Sequence, residues 1–464
     1  MSEISSSTPS FSEFDPSHIP YQDRVVDDIY NHFDYSLGTH EVLLSGSVGS
    51  AKSILMAHLI VRHCLENPGA RFLIGRNSLG DLRDTLFTKI CEHLVDEHLV
   101  ENVDYRPYYR ECRIIFLKTG SEIIGRSWAD KKFKKMRSLE LSGACIEELT
   151  ENGDQEVYNE IKMRVGRLPH IQKNLIICAT NPDSPAHWAY QHFIEPIKKG
   201  NKLPTRHVYY SVTTDNPFLP SWYIEQLRNE LDPKMARRMI FGEWIEIDQD
   251  VIYHSYKSET NFRNYKYQVN KKWPILQCHD FNIGKGKPMS TVYGQYDPEK
   301  DEYHWFAHCI VHGSRTSDIM QEAADRGLLD YDVPYEIYGD ATGDHRDTRS
   351  LFTDYDIITK FMSSYKNPQG HFVKFVRNVP LSNPSVRSRH NIVNAYCLND
   401  LGKSRFFVYA GCDMLDKGMR LSCLKDGGQY IEDDSPEYQH CTTAVGYCIV
   451  YKKNTDNLMK VGKY

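Results

Sequence analysis

Through the first 180 residues, short uninterrupted apolar runs alternate with stretches whose apolar positions recur at helical spacing. EVLLSG (41–46), RFLIG (71–75), SGACI (142–146) and NLIICAT (174–180) read as strands. Each is too short for a helix and apolar on both faces, as in a parallel sheet covered on both sides. Leu55, Leu59, Ile60 and Val61 form the apolar stripe of a helix that begins near Lys52. Such alternation predicts an α/β layered fold. The pattern then changes: 246–270 is polar, tyrosine-rich and without a period, and reads as a connection. Beyond it, KWPILQCHD ends in Asp280, two strands are joined by a turn at Asp297 to Asp301, and VPYEIYGD ends in Asp340. The expected organisation is an arm at 1–19, a first domain at 20–245, the connection at 246–270 and a second domain at 271–464.

The first predicted strand runs into SGSVGSAKS, 45–53, close to the phosphate-binding pattern G-x-x-x-x-G-K-[ST]. Gly46, Ser47, Val48, Gly49, Ser50, Ala51, Lys52 and Ser53 would form the loop, with Ala51 in place of the second glycine. Strand, turn, helix is the context in which backbone N–H groups and a helix N-terminus hold phosphate. Lys52 would lie on the β- and γ-phosphates of ATP and Ser53 on Mg²⁺. Alanine resists positive φ, so Ala51 is expected in the helical region, in the first turn of the helix. An ATPase also needs acids at a neighbouring strand end. Glu147 and Glu148 follow Ile146, the first placed to hold Mg²⁺ through water and the second to polarise the attacking water. Thr180, Asn181 and Pro182 end the next strand, where polar side chains can sense the γ-phosphate. Gln22 opens an earlier helix, where its amide could pair with adenine.

Composition narrows the class without changing this picture. The chain has 464 residues, 40% of them hydrophobic, which suits two domains. No apolar run approaches the roughly 20 residues of a membrane span, and the N-terminus has no signal-peptide pattern. Twelve cysteines without a CxxC pair suggest reduced thiols in a cytosolic protein. The net charge of -6 is unlike that of a nucleic-acid coat protein, so any DNA contact must use local basic runs such as 130–137 and 234–239. Each run is equally readable as a solvated helix face.

In this order and spacing the motifs resemble the large terminase subunit of tailed bacteriophages, over residues 15 to 450. The resemblance places Gln22 in the adenine motif, Gly46 to Ser53 in Walker A, Ile146 to Glu148 in Walker B with the catalytic glutamate, and Ala179 to Pro182 in the coupling motif. It also matches Asp215 to Trp244 to the helical segment that closes the ATPase domain. It implies a P-loop (RecA/ASCE-like) ATPase domain followed by a ribonuclease-H-like nuclease domain. An arginine often found inside the family's loop is absent here, where Val48 stands. Arg137, ten positions before Glu147, is the candidate arginine finger, with Arg76 a second.

In the second half, two strands that each present an aspartate suit a pair of divalent cations, Mg²⁺ or Mn²⁺, about 4 Å apart. The resemblance makes Asp280 and Asp340 the first two metal ligands. The third is missing. The family motif H-x-x-D-A-x-x-Y reads HCTTAVGY here, with His440, Ala444 and Tyr447 in register and Thr443 in place of the aspartate. Asp434, beside Asp433, is the expected substitute, and Asp344 another. The implied function is a motor that translocates double-stranded DNA into a procapsid and cuts concatemeric DNA. It would work as a pentameric homo-oligomer on the portal protein with a small terminase subunit, be a monomer in solution, and lie in the host cytoplasm, docking transiently on the procapsid. Two alternatives stay open: an ATP-driven translocase or helicase whose second domain binds DNA without cutting, favoured by Thr443, and a non-catalytic scaffold, favoured by Ala51.

Overall fold

The computed structural model describes residues 14–461 except 129–135, 137, 247–250, 282–287, 313–314, 346–351 and 426–429, with side chains through residue 455. The chain divides into two compact units, one of residues Met1–Ile224 and Arg237–Ile247, the other of Glu225–Ala236 and Asp248–Tyr464.

The first unit is built on an eight-stranded sheet: β1 (His40–Gly46), β2 (Arg71–Arg76), β3 (Tyr105–Tyr108), β4 (Arg113–Phe116), β5 (Glu122–Ser127), β6 (Gly143–Ile146), β7 (Leu175–Thr180) and β8 (Arg206–Ser211). Their order is β3-β4-β5-β2-β6-β7-β1-β8. The pairs from β5 through β8 are parallel, while β3 and β4 add an antiparallel edge. The apolar runs reflect burial on both faces. Val42 and Leu44 of β1 join the core under the helix Lys52–Glu66, with Leu55, Leu59 and Ile60. Leu43, between them, points to the opposite core of Tyr158, Phe193 and Ile146. This order seats β7 between β1, which leads into the loop at Gly46 to Ser53, and the acid-bearing β6.

The second unit holds a seven-stranded sheet: β9 (Phe262–Arg263), β10 (Ile275–Asp280), β11 (Pro288–Asp297), β12 (Glu302–His312), β13 (Tyr335–Gly339), β14 (Phe375–Arg377) and β15 (Phe406–Tyr409), in the order β14-β13-β10-β11-β12-β15-β9. β10, β11 and β12 form an antiparallel meander, and β13 and β14 continue parallel to β10. The final helix, Glu437–Val461, packs Ala444, Val445, Cys448 and Ile449 on one face of the sheet against Leu276, Cys278 and Val292. Ile252, Tyr253 and Tyr256, from the polar and tyrosine-rich stretch, are buried in the same core. Among the described residues, no helix is long and apolar enough to cross a membrane.

One charged residue inside the first unit serves the fold. Glu41, on β1 and almost fully buried, accepts hydrogen bonds from the Tyr158 hydroxyl, Lys162 Nζ (2.7 Å) and His192 Nε2 (2.9 Å). Burial pushes its carboxyl up, but the bonds from His192, Lys162 and Tyr158 outweigh this and hold it at about 2. A depressed carboxylate stabilises the fold above its unfolded value, and that contribution is lost as pH falls through the folded one. Glu41→Gln should cost about 3 kcal/mol at neutral pH, since it leaves buried partners uncompensated. In urea denaturation, the difference from wild type should shrink as pH falls from 4.5 toward 2.

Candidate functional site

The P-loop leaves β1 held from outside on nearly every carbonyl. Val48 O accepts from Thr213 Oγ1 (2.7 Å), Gly49 O from Asn216 Nδ2 (2.7 Å), Ser50 O from Tyr21 Oη (2.7 Å) and Ala51 O from Gln22 Nε2 (2.8 Å). Ser47 N and Val48 N donate to Ser211 O and Met239 O. The facing direction of each peptide is thereby set by side chains from other segments of the unit. The helix that follows begins at Lys52, so Ser53 lies in its first turn, where helix N–H groups have no intrahelical acceptor.

Here the expectation for Ala51 is corrected. Ala51 sits at φ 62, ψ 32, in the left-handed region, as the N-cap of the helix. The chain must reverse its curvature between Gly49, itself at φ 74, and the helix. The anchors on Ser50 O and Ala51 O hold the two peptides that a relaxation would have to turn. An alanine in this region costs about 1–2 kcal/mol.

Lys52 reaches back across the loop, donating to Gly46 O and Ser47 O (both 2.8 Å) and to Asn181 Oδ1 (3.1 Å) at the end of β7. Burial lowers its ammonium to about 8 against the opposing pull of Glu148. Glu147 and Glu148 follow β6. Glu147 is buried, accepts from Thr85 Oγ1 (2.5 Å) and lies 3.8 Å from Arg76 Nη1. Glu148 takes a left-handed backbone, φ 48. Burial raises both carboxyls; Thr85 and Arg76 oppose the rise at Glu147, and Lys52 and Arg76 at Glu148. Arg76 is committed to this acidic cluster, pairing with Glu151 at 2.6 Å. Arg137 lies outside the described residues. Gln22, with its amide nitrogen on the loop, also walls a cavity of about 430 Å³ with Phe14, His18, Ile54, Asn216 and Phe218.

In the second unit, β10 and β13 are parallel neighbours with His279 opposite Gly339, so Asp280 and Asp340 emerge at the same sheet edge. His440 Nδ1 donates to Asp280 Oδ2 (2.9 Å), and Asp340 Oδ1 accepts from Thr342 N and Asn383 Nδ2 (both 2.7 Å). Burial raises the Asp280 carboxyl, His440 and Arg389 pull it down, and Asp340 pushes it up. Thr443, one turn beyond His440, accepts from Gln439 Nε2 (2.8 Å) and Arg389 Nη2 (3.5 Å). The structure pairs Asp434 with Lys425 (2.6 Å), Asp344 with Arg377 (2.8 Å), and Asp433 with the backbone and hydroxyl of Ser435. The acid linked to Thr443 through Arg389 is Glu432, which sequence reading did not single out.

Residues 39–243 match the family model of the phage terminase large subunit. A curated relative, the PBSX phage terminase large subunit of Bacillus subtilis (strain 168), is 29% identical over 242 residues, 47% of this chain. The chain spans about half, 54%, of that relative's length. Over these residues the chain is similar to phage terminase large subunits. The large terminase of a thermophilic bacteriophage has the same fold, with a TM-score of 0.62 at 11% identity, covering 93% of this chain and 98% of that one. The complex of that terminase with ADP aligns at 0.60 with 13% identity. The chain therefore shares the two-unit α/β fold of that large terminase.

Sequence reading singled out the loop, the acids and both aspartates as candidates, and missed the side chains that hold the loop and Glu147. Tyr21, Thr85, Thr213 and Asn216 carried no motif of their own. The one available signal was polarity beside breakers, as in TTDNP (213–217). Replacing Ala51 by glycine should relieve the left-handed backbone while adding entropy to the unfolded chain. Ala51→Gly is expected to raise the stability of the first unit by up to about 1 kcal/mol, read from thermal unfolding of the full chain.

Proposed function

We propose that this chain is a viral DNA-packaging motor that hydrolyses ATP to move double-stranded DNA into a procapsid and cuts concatemeric DNA in its second unit. The observation that carries this reading is the loop lysine Lys52, bonded to Asn181 and under the pull of Glu148, in a chain whose fold is that of a large terminase. The thermophilic-phage terminase has been solved with ADP and with ATP-γ-S, which supports ATP as the ligand of the loop.

The cavity beside Gln22 would take the base, and the loop Gly46–Ser53 the phosphates. Ser53 and Glu147 would hold Mg²⁺, whose charge offsets that of the phosphates. The Glu147 carboxyl, raised by burial against the opposing pull of Thr85 and Arg76, suits a cation. Glu148 orients the attacking water and accepts its proton as the water oxygen bonds to the γ-phosphorus and the bridging oxygen departs with ADP. An arginine finger would come from Arg137 or from a neighbouring subunit. Asp280 and Asp340 offer two carboxylates to a hard divalent cation, Mg²⁺ or Mn²⁺, which would polarise the scissile phosphate. His440 holds Asp280 in place. Assembly as a pentameric ring on the portal protein, with a small terminase subunit, belongs to the same proposal, as does work in the host cytoplasm. A second reading, a translocase whose second unit binds DNA uncut, is favoured by Thr443 and Arg389 alone.

Four measurements on the purified full chain test this. Lys52→Ala should reduce ATP hydrolysis by about 100-fold or more, as for loss of a charge-stabilising donor. Asp280→Asn should abolish plasmid cleavage in Mn²⁺ and leave ATPase intact; cleavage by neither protein, with ATPase retained, supports the second reading. Because the Glu148 carboxyl is raised and must be ionised to act, ATPase should fall on the acid side at a pH above the 4.5 of an ordinary glutamate. Glu148→Gln should remove the activity at every pH.

A further inference from the structure

Resting on the nuclease reading, we infer that the site in the second unit holds one divalent cation, at Asp280 and Asp340, and that the Arg389 guanidinium takes the place of the second. The family pattern calls for a third carboxylate on the final helix, and the residues present do not fit that role. Thr443 is neutral, and the guanidinium of Arg389, on the helix Val386–Cys397, lies against it with Nη2 at 3.5 Å from Thr443 Oγ1.

The final helix is shaped to admit this side chain. Gly446 and Tyr447 lie three and four residues after Thr443, itself three after His440, so all four share one side of the helix. A Cβ on Gly446 would lie 2.7 Å from Arg389 Cδ and 2.8 Å from Cγ, so any larger residue would displace the arginine stem. The guanidinium carbon sits 4.9 Å from the Tyr447 ring centroid. Arg389 is 2% exposed, and its Nε–H has no hydrogen-bond acceptor among the described residues.

Glu432 does not restore a ligand. One of its oxygens pairs with Arg389 Nη2 and the other accepts from His390 Nε2 at 2.7 Å. A cation claiming Glu432 would have to strip it from two buried donors. Arg389 cannot shed its charge in a protein, and its field already reaches Asp280. At Thr443 a second dication would meet a guanidinium 3.5 Å away in place of a carboxylate. The guanidinium supplies a cation on this side of the site without an ion, held in place by Glu432 and the Tyr447 ring.

The test is the number of Mn²⁺ ions bound per full-length chain without nucleotide, by isothermal titration and by electron paramagnetic resonance, counting only binding lost in Asp280→Asn. Wild type should bind one such ion. Arg389→Lys, which keeps the charge, should also bind one. The double variant Arg389→Gln with Thr443→Asp should bind two, and its cleavage rate should rise with a steeper dependence on Mn²⁺. A thermal unfolding curve for each variant separates lost binding from lost folding. Two Asp280-dependent ions in wild type would overturn this inference and leave the nuclease reading standing. No Asp280-dependent ion together with no cleavage would overturn both.

Discussion

Two parallel strands side by side deliver the residues that follow them to the same edge of a sheet, and both sites in this chain rest on that geometry. In the first unit β1, β7 and β6 run parallel and adjacent, which brings the P-loop lysine, Asn181 and the two glutamates to one edge. In the second, β10 and β13 do the same for Asp280 and Asp340, 60 residues apart in the chain. Parallel pairing also explains the unbroken apolar runs, because such strands are covered on both faces and have no solvent side on which to place polar residues. The polar residues are therefore displaced to strand ends. Those ends become the chemistry.

Burial then acts on charge in opposite directions according to how each group is partnered. Glu41 has donors from Tyr158, Lys162 and His192, so its carboxyl is held down and it behaves as structure. Glu432 is likewise held at about 2: burial pushes it up, but the His390 hydrogen bond and the Arg389 charge outweigh this. Glu147, Glu148 and Asp280 have fewer compensating donors, and burial wins at each. Lys52 shows the mirror effect, with its ammonium lowered. Groups left with a charge deficit of this kind are the ones a phosphate or a cation can satisfy. Within one unit, the sign of the shift thus separates the acid that holds the fold from the acids proposed to work.

The strain at Ala51 has the same logic. The loop is not relaxed by its own sequence but held by Tyr21, Gln22, Thr213 and Asn216, each on a different carbonyl. A non-glycine residue can then stand at positive φ, because the surrounding bonds over-determine the backbone. The second unit uses a comparable device in its side chains. Gly446 and Thr443 clear a slot for Arg389, and the buried arginine is in turn fixed by Glu432 and the Tyr447 ring.

The sequence by itself determined the alternation of buried strands and helices, the loop from Gly46 to Ser53, and the acids at the ends of β6, β10 and β13. All are local signals: an apolar run of fixed length, a breaker, and a polar residue at a known offset. It did not reveal the outer strands β3 to β5 and β8, whose mixed composition lacks the unbroken apolar run of a doubly covered strand. Nor did it reveal that Ala51 and Glu148 are left-handed, since the φ of a loop residue is set by the bonds made to its carbonyl and amide from elsewhere. Only the tertiary structure brought Arg389, Glu432 and Thr443 together, from three segments with no shared period or motif. Long-range convergence of polar side chains leaves no local trace, because spacing along a chain records only the periods of its own helices and strands.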